Sequence, residues 1–528
     1  MMLKKIALGM LAGVALNASA MAADIDHVLL ISVDGLHALD VANFIEANPN
    51  SALAELAGHG VTFSNARIPF NSDSFPGLLA EVTGGSPITT GLLYDVSYDR
   101  TFFDPTNTTC KGAPGNFMIF DETIDLYKGA VSQNVIDPTR LPRRILNGKC
   151  VPVFPHEALR TNTIFEVVKS KGGRTAWADK HPAYDLVNGP SGKGVDDLFT
   201  PEITNAPPAP FVGLDNTVSI DCTVANDALK VTAVINEING LAHDGKSAGS
   251  TPAVFGMNFQ AVSVGQKLTK SNSDGSCPIV TTRDGQPGGY LDGRGTPSAV
   301  LAFGLQQTDQ ALGAMIKALK NRGIFNSTLF IVSAKHGQSP INPAKVNKPG
   351  HFVDLVASLP DAGTDPGAQA IISAGNCPTG SCGFVQDDDV ALIWLGDQGK
   401  TQAAVDYLNK NAKALFIEDA LSGDEIELKL NSPKHDSRTP DIFVQPVYGT
   451  IYTTSSKKNA EHGGMIFADV NVGLIVSNPS LRAATIKTPV LTSQVAPTIL
   501  RSLGIDPDEL NSVRVEHTTV LPGLFDRD

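Results

Sequence analysis

Ser74 stands in a sequence context that suits nucleophilic chemistry. It belongs to the segment NSDSFPGLLAEVTGG, residues 71–85, where a polar turn is followed by a helical stretch. The free N–H groups at a helix N-terminus attract anions, so a serine there is well placed to attack a phosphate group. An ordinary helix cap with a proline in the first turn has the same pattern. The segment alone leaves both interpretations open.

Other polar side chains come directly after apolar runs: Asp34, Asn258, Lys335 and His336. Continuous runs of Val, Ile and Leu indicate strands that are buried on both faces, as in parallel sheets. Ligands bind at the carboxyl ends of such strands. We therefore expect these four side chains to lie near one another.

The apolar runs alternate with helical stretches, which predicts an α/β fold with a doubly wound, mostly parallel sheet. The expected strands are 26–33, 253–257, 327–333, 390–395 and 472–477, and the longest helical stretch is 299–322. Gly, Pro, Asn and Ser are frequent in segments that break the alternation, and functional loops have this composition. We interpret 101–153 and 188–250 as insertions, and 361–388 as a small disulfide-closed loop.

The N-terminus predicts export. Lys4 and Lys5 precede an apolar run, 6–16, and small residues follow it. This order is typical of a secretory signal peptide, residues 1–22, and the run is too short to span a bilayer. We expect a periplasmic or secreted protein whose mature part, 24–528, forms one hydrolase domain.

The cysteine count agrees with export. The six cysteines are an even number, which in an exported chain favours disulfides. Fifteen pairings are possible, and pairing in sequence order is the simplest of them.

The net charge of −13 argues against a nucleic-acid polymer or an anionic membrane as the main partner. No segment of the mature chain is apolar enough to span a membrane. These observations favour a small substrate.

Four short motifs resemble the alkaline phosphatase superfamily, in particular its type I phosphodiesterase/nucleotide pyrophosphatase branch. They contain Asp34 in SVDG, Ser74 in SFPGLLAEVTGG, His336 in VSAKHGQ and His462 in AEHGGM. The resemblance extends from about residue 26 to about residue 506 and implies the fold of that superfamily. It also implies a serine or threonine nucleophile and two bound metals, usually zinc.

Carried over by position, the resemblance makes Ser74 the nucleophile and Asp34, His336 and His462 the metal ligands. The chain departs from the family where an Asp-His pair becomes Lys335-His336 and an Asp-x-x-x-His motif becomes Asn258 and Val262. A substrate-binding asparagine of the family falls at Asp95.

These departures predict a reduced metal site. Zinc normally needs three or four N, O or S donors, so we expect one divalent metal, zinc, and doubt a second. Lys335 would instead stabilise charge on the phosphoryl oxygens.

Substrate contacts are expected from Asp95, Asn258, Lys180 and His181. Lys180 and His181 could equally belong to an ordinary surface loop. Arg438 presents a similar choice between holding a phosphate and forming an ion pair.

We therefore expect an exported hydrolase of phosphate mono- or diesters. One alternative is a sulfate or phosphonate ester hydrolase on the same scaffold. Another is a binding protein that descends from the enzyme and has lost turnover.

Overall fold

The computed structural model describes residues 24–119, 124, 136–206, 213–378 and 380–525. The predicted signal peptide, 1–22, lies outside this range. Within it, no helix has the length and apolar character needed to cross a membrane.

The strands of the described part form one large sheet and four smaller ones. In chain order they are β1 His27–Val33, β2 Gly60–Phe63, β3 Ala66–Arg67, β4 Val96–Asp99, β5 Asn116–Ile119, β6 Arg143–Leu146, β7 Lys149–Pro152, β8 Thr175–Ala178, β9 Asp197–Phe199, β10 Val254–Phe259, β11 Thr328–Ser333, β12 Gly383–Asp387, β13 Ala391–Leu395, β14 Ile417–Ser422, β15 Ile442–Pro446, β16 Asn471–Val472, β17 Ile475–Ser477, β18 Ala484–Ile486 and β19 Val490–Leu491.

The large sheet confirms the predicted doubly wound, mostly parallel architecture. Its eight strands have the order β18-β2-β17-β11-β1-β10-β8-β9. Only β17 runs antiparallel to its neighbours. Residues 28–31 of β1 are all fully buried, as expected for a strand that is covered on both faces.

Helices cover this sheet in two groups. In chain order the helices of the described part are α1 Ala38–Ala47, α2 Ala52–Gly58, α3 Ser74–Thr83, α4 Pro87–Thr90, α5 Pro155–Ala158, α6 Ile164–Ser170, α7 Ile220–Ile238, α8 Ala261–Lys267, α9 Ala299–Arg322, α10 Phe352–Ala357, α11 Pro366–Gly375, α12 Thr401–Lys410, α13 Asp424–Glu427, α14 Phe467–Val470, α15 Val495–Ser502 and α16 Asn511–Glu516. Helices α2, α7, α8 and α9 pack together, and α3, α6 and α15 form the other group. Helix α9 has the predicted bounds.

One predicted strand belongs to a different sheet. The run 390–395 contains β13, which lies in a four-stranded antiparallel sheet of order β12-β13-β15-β14. Its alternate side chains enter two separate apolar clusters, one with Ile393 and one with Trp394. Because both faces are buried, the run has the composition of a parallel strand although its neighbours are antiparallel.

The three irregular segments carry local structure of their own. The range 101–153 contains β5, β6 and β7, and 188–250 contains β9 and the whole of α7. The range 361–388 contains α11 and β12, so its disulfide closes only the short turn between them.

All six cysteines are paired in sequence order, as Cys110–Cys150, Cys222–Cys277 and Cys377–Cys382. This agrees with the simplest of the fifteen possible pairings.

A buried guanidinium group ties the antiparallel sheet to the main body. The Nε of Arg438 donates to Asp99 Oδ2 at 2.8 Å, and its Nη1 donates to the carbonyl oxygens of Gly91 and Ala158 at 3.0 and 2.6 Å. Burial alone would raise the pKa of Asp99, but the charge of Arg438 outweighs it and lowers that pKa. Arg438 is therefore part of a structural ion pair.

Replacing Arg438 with Met should lower the free energy of unfolding by about 3–5 kcal/mol, because Asp99 would be left as an unpaired buried charge. Denaturant unfolding measures this loss. Arg294→Met is the matched control, since the Arg294 side chain is 87% exposed in its pair with Asp292, and surface pairs contribute about 0–1 kcal/mol. Equal losses in the two variants would contradict the structural role of Arg438.

Candidate active site

The site forms where the carboxyl ends of four neighbouring parallel strands meet. Strands β11, β1, β10 and β8 are adjacent in this order, so the residues that follow them converge. The backbone fixes these ends: Asp34 N donates to Phe259 O at 3.0 Å, and Gly35 N donates to His336 O at 3.0 Å. Gly35 has φ +79°, a conformation that favours glycine, and it turns the chain directly after Asp34.

Ser74 is the first residue of α3. The preceding Asp73 caps the helix by accepting a hydrogen bond from Phe75 N at 3.0 Å. A Cβ atom on Gly77 would lie only 1.8 Å from the carbonyl oxygen of Lys335. Glycine at this position therefore lets the helix approach the loop after β11, and this brings Ser74 next to His336.

The hydroxyl of Ser74 contacts a histidine. Its Oγ lies 3.2 Å from His336 Nε2, while His336 Nδ1 lies 3.0 Å from the carbonyl oxygen of Gly337. A carbonyl oxygen can only accept, so Nδ1 carries the proton and Nε2 is left to accept from Ser74. Burial lowers the pKa of His336, which keeps the ring neutral.

Lys180 provides a cation at the same hydroxyl. Its Nζ lies 2.8 Å from Asp34 Oδ2, 3.3 Å from Ser74 Oγ and 3.3 Å from Gln260 Oε1. The second oxygen of Asp34, Oδ1, accepts from Asn258 Nδ2 at 2.7 Å. Lys180 and Asn258 thus hold both oxygens of the first-strand aspartate.

Lys335 is fully buried but points to a different carboxylate. Its Nζ donates to both oxygens of Asp179, at 3.0 and 3.1 Å, and is 3.9 Å from Asp34 Oδ1. The same atom lies 3.9 Å from the ring centroid of Tyr184. Lys335 is therefore neutralised by Asp179, and the lysine that contacts Ser74 is Lys180.

Burial and charge determine the ionisation of these groups. Burial alone would raise the pKa of Asp34, but Lys180 and Lys335 outweigh it and hold that pKa well below its usual value. Burial alone would lower the pKa of Lys180, but Asp34 raises it. The pair is therefore an ionised carboxylate and a protonated ammonium.

His462 completes the inner part of the site. Its ring centroid lies 4.0 Å from that of His336, and its Nδ1 is 3.8 Å from Asp73 Oδ2. Burial holds the pKa of His462 well below its usual value, so the ring is neutral. His462 Nδ1 and Asp73 Oδ2 are buried without a hydrogen-bond partner within the part of the chain that the structure describes.

Two predicted substrate residues lie at the margin of this group. His181 Nδ1 is 2.7 Å from Glu202 Oε1, and its ring stacks on Tyr184. Asp95 Oδ1 accepts from Val96 N at 2.7 Å. Burial raises the pKa of Asp73 well above its ordinary value, and the charge of Asp95 adds to this rise.

The residues present do not fit a divalent metal. The ammonium of Lys180 stands between Asp34 and Ser74, two of the donors that the family resemblance assigns to one metal. For the other metal, Val262 has no donor atom and is buried in the apolar core. Across the described ranges, no three His, Cys, Asp or Glu side chains form a group that could hold a metal ion.

Several contributors to the site were not singled out in the sequence. Asp179 and Tyr184 flank Lys180 in the segment DKHPAY, and Gln260 follows Asn258 by two residues. The signal for Asp179 was its place at the end of a short apolar run, as for Asp34. Tyr184 and Gln260 carried no such signal.

Two kinds of comparison relate this chain to known proteins. The family model "Type I phosphodiesterase / nucleotide pyrophosphatase" matches residues 28–118 and 293–465, which make up half of the chain. These ranges contain Asp34, Ser74, His336 and His462. Lys180 and Asn258 lie between the two matched ranges.

Solved structures show the same fold over nearly the whole chain. Alkaline phosphatase PafA is similar with a TM-score of 0.56 and 12% identity, covering 96% of this chain and 100% of PafA. An inactive threonine-to-alanine variant of murine ectonucleotide pyrophosphatase/phosphodiesterase 5, in complex with AMP, has a TM-score of 0.50 and 14% identity, covering 91% and 96%.

A comparison with curated protein sequences found no match. The family assignment therefore rests on the family model, and the solved structures share the fold. The chain belongs to the type I phosphodiesterase/nucleotide pyrophosphatase family of phosphoric ester hydrolases.

Proposed function

We propose that this protein hydrolyses phosphate mono- or diesters with Ser74 as the nucleophile and with Lys180 in place of a metal. The position of the Lys180 ammonium, 2.8 Å from Asp34 Oδ2 and 3.3 Å from Ser74 Oγ, carries the proposal. A cation at this point stabilises the serine oxygen as it loses its proton.

In the first step, Ser74 Oγ attacks phosphorus while its proton passes to Nε2 of His336. The new Oγ–P bond forms as the bond from phosphorus to the leaving oxygen breaks, and that oxygen departs with the bonding electrons. The 3.2 Å contact between Oγ and Nε2 supports His336 as the base. An aryl phosphate suits this step, because its leaving oxygen needs no proton.

In the second step, water attacks the phosphoserine and Ser74 is released. The new P–O bond to water replaces the Oγ–P bond, and Ser74 Oγ regains a proton from His336. Water transfers its own proton to the phosphate product or to solvent. The Lys180 ammonium stabilises the charge on Oγ when Ser74 attacks and again when Ser74 is released.

Lys335 has a positioning role in this proposal. It pairs with Asp179, and Asp179 Oδ1 also accepts from the backbone N of Lys180 at 2.9 Å. Lys335 therefore acts on the nucleophile through Asp179, which supports the place of Lys180.

Export is part of the proposal. Three disulfides support an oxidising compartment, since such bonds are rare in the cytosol. The predicted signal peptide is the second argument for a periplasmic or secreted location.

Ser74→Ala should abolish hydrolysis of an aryl phosphate ester, with a loss of about 10⁴-fold or more, because nucleophile removal is among the most damaging changes. Ser72→Ala is the matched control, since Ser72 Oγ donates to the carbonyl oxygens of Asp469 and Gly337. Steady-state kinetics of both folded variants measure the difference. Equal activities of wild type and Ser74→Ala would rule out the covalent mechanism.

Lys180→Ala should lower kcat by about 10²–10³, the effect of removing one preorganised stabiliser. Lys171→Ala is a control for loss of a lysine, since Lys171 pairs on the surface with Glu509. A loss of less than threefold in Lys180→Ala would remove Lys180 from the mechanism.

Lys335→Met should mainly destabilise the fold, because it leaves the buried carboxylate of Asp179 without the lysine that pairs with it.

Removal of metal should leave the activity nearly unchanged, within about twofold, a difference below 0.5 kcal/mol. The purified protein is dialysed against a strong chelator, its metal content is measured, and its activity is compared before and after. One equivalent of zinc together with activity that chelation abolishes and zinc restores would refute the role of Lys180.

A further inference from the structure

The hydroxyl of Tyr184 is a buried polar group without a close hydrogen-bond partner. Tyr184 is fully buried, and its hydroxyl has no partner at ordinary hydrogen-bond distance in the described part of the chain, although the Ser74 side chain interacts with it from slightly farther away. Burying a hydroxyl without a hydrogen bond costs free energy, so such a group in a native fold requires an explanation.

The ring of Tyr184 is fixed at the nucleophile. Tyr184 lies in the 3₁₀ helix Pro182–Asn188, which begins two residues after Lys180. It packs edge-on against Phe75, with ring centroids 5.4 Å apart, and carries the Lys335 ammonium 3.9 Å from its centroid. Phe75 is the residue after Ser74, so the Tyr184 ring packs beside the residue that carries the attacking oxygen.

Neighbouring protein acceptors are already occupied. Asp34 accepts from Lys180 and Asn258, and Asp179 accepts from Lys335 and from Trp177 Nε1. The Tyr184 hydroxyl is therefore a donor that the fold leaves available beside Ser74.

We propose that the Tyr184 hydroxyl donates a hydrogen bond to a non-bridging oxygen of the phosphoryl group that Ser74 attacks. This makes Tyr184 a catalytic residue, and it rests on the proposed function. The phosphoryl oxygens supply the acceptor that the protein lacks at this point. Lys180 holds the serine oxygen and Tyr184 holds a non-bridging oxygen, so the two donors divide the developing charge.

The ionisation of the phenol agrees with a donor role. Burial raises the pKa of Tyr184 well above its usual value, and the carboxylates of Asp179 and Asp34 add to this rise. The hydroxyl therefore keeps its proton at neutral pH. A longer hydrogen-bonding interaction with the Ser74 side chain offsets part of the rise and places the phenol beside the attacking oxygen.

The test is Tyr184→Phe, which removes only the hydroxyl. We expect kcat/KM for an aryl phosphate ester to fall about 10- to 100-fold, the effect of losing a hydrogen bond to a charged group. The affinity for inorganic phosphate, measured by calorimetry, should fall by a similar factor. The melting temperature should stay the same or rise, because an unpaired buried group is lost.

Tyr452→Phe is the matched control. Its side chain is buried in the apolar cluster that contains Ile393, and its hydroxyl donates to Leu415 O at 2.8 Å. This variant should have a lower melting temperature with unchanged activity and phosphate affinity. The two variants therefore separate a ligand donor from a structural tyrosine.

The outcomes distinguish this inference from the proposed function. If the wild type binds phosphate but hydrolyses no ester, weaker phosphate binding by Tyr184→Phe still supports the donor role. If phosphate affinity is unchanged in Tyr184→Phe, the hydroxyl binds only water and the inference is wrong. A wild type that binds no phosphate overturns both.

Discussion

The buried ion pair between Lys180 and Asp34 is the contact on which the site depends. An isolated charge in this position would be strongly unfavourable, so each partner needs the other. Both oxygens of Asp34 are occupied, one by Lys180 and one by Asn258. An aspartate at position 258 could not donate to Asp34 and would place a second negative charge beside it. The neutral amide at this position therefore follows from the ammonium at position 180.

The same reasoning explains Lys335. An acid at this position would lie beside Asp179, a carboxylate buried at the same strand ends, and would leave it unpaired. With lysine there, the four buried charges of Asp34, Asp179, Lys180 and Lys335 balance. In the proposed function, the family's metal-binding acids and this chain's lysines are two alternative ways to balance the charge of the site, and each requires several positions to change together. This coupling predicts that restoring a single family residue, such as Lys335→Asp, would add an unpaired charge without rebuilding a metal site.

Part of the site was accessible from the sequence because it follows from strand ends. Asp34, Lys335 and His336 each come directly after a buried apolar run, and parallel strands bring such residues to one edge. Lys180 was harder to place, since the order β1-β10-β8 sets its distance from Asp34 and a short run does not reveal that order. Strand β13 shows a related limit: burial on both faces was visible in its composition, but the direction of its neighbours was not.

The sequence does not show which buried polar atoms lack a hydrogen-bond partner. Nothing in DKHPAY indicates that the Tyr184 hydroxyl has no close partner, because Asp179 of this segment pairs with Lys335 and the other nearby acceptor, Asp34, comes from a distant part of the chain. The same holds for Asp73 Oδ2 and His462 Nδ1. By contrast, Ser72, two residues before Ser74, is fully hydrogen-bonded to backbone carbonyls.

Three of the unpaired atoms, on Asp73, Tyr184 and His462, belong to residues of the site, and Ser74 itself touches three groups of different kinds. His336 offers an acceptor, Lys180 a cation and Asp34 a carboxylate within 3.5 Å. A site that only binds an anion gains from the cation and from donors such as Tyr184. It gains nothing from an acceptor placed at a serine hydroxyl, because an anion needs hydrogen-bond donors and not acceptors. The acceptor is useful only if the serine gives up its proton, and this favours turnover over binding alone.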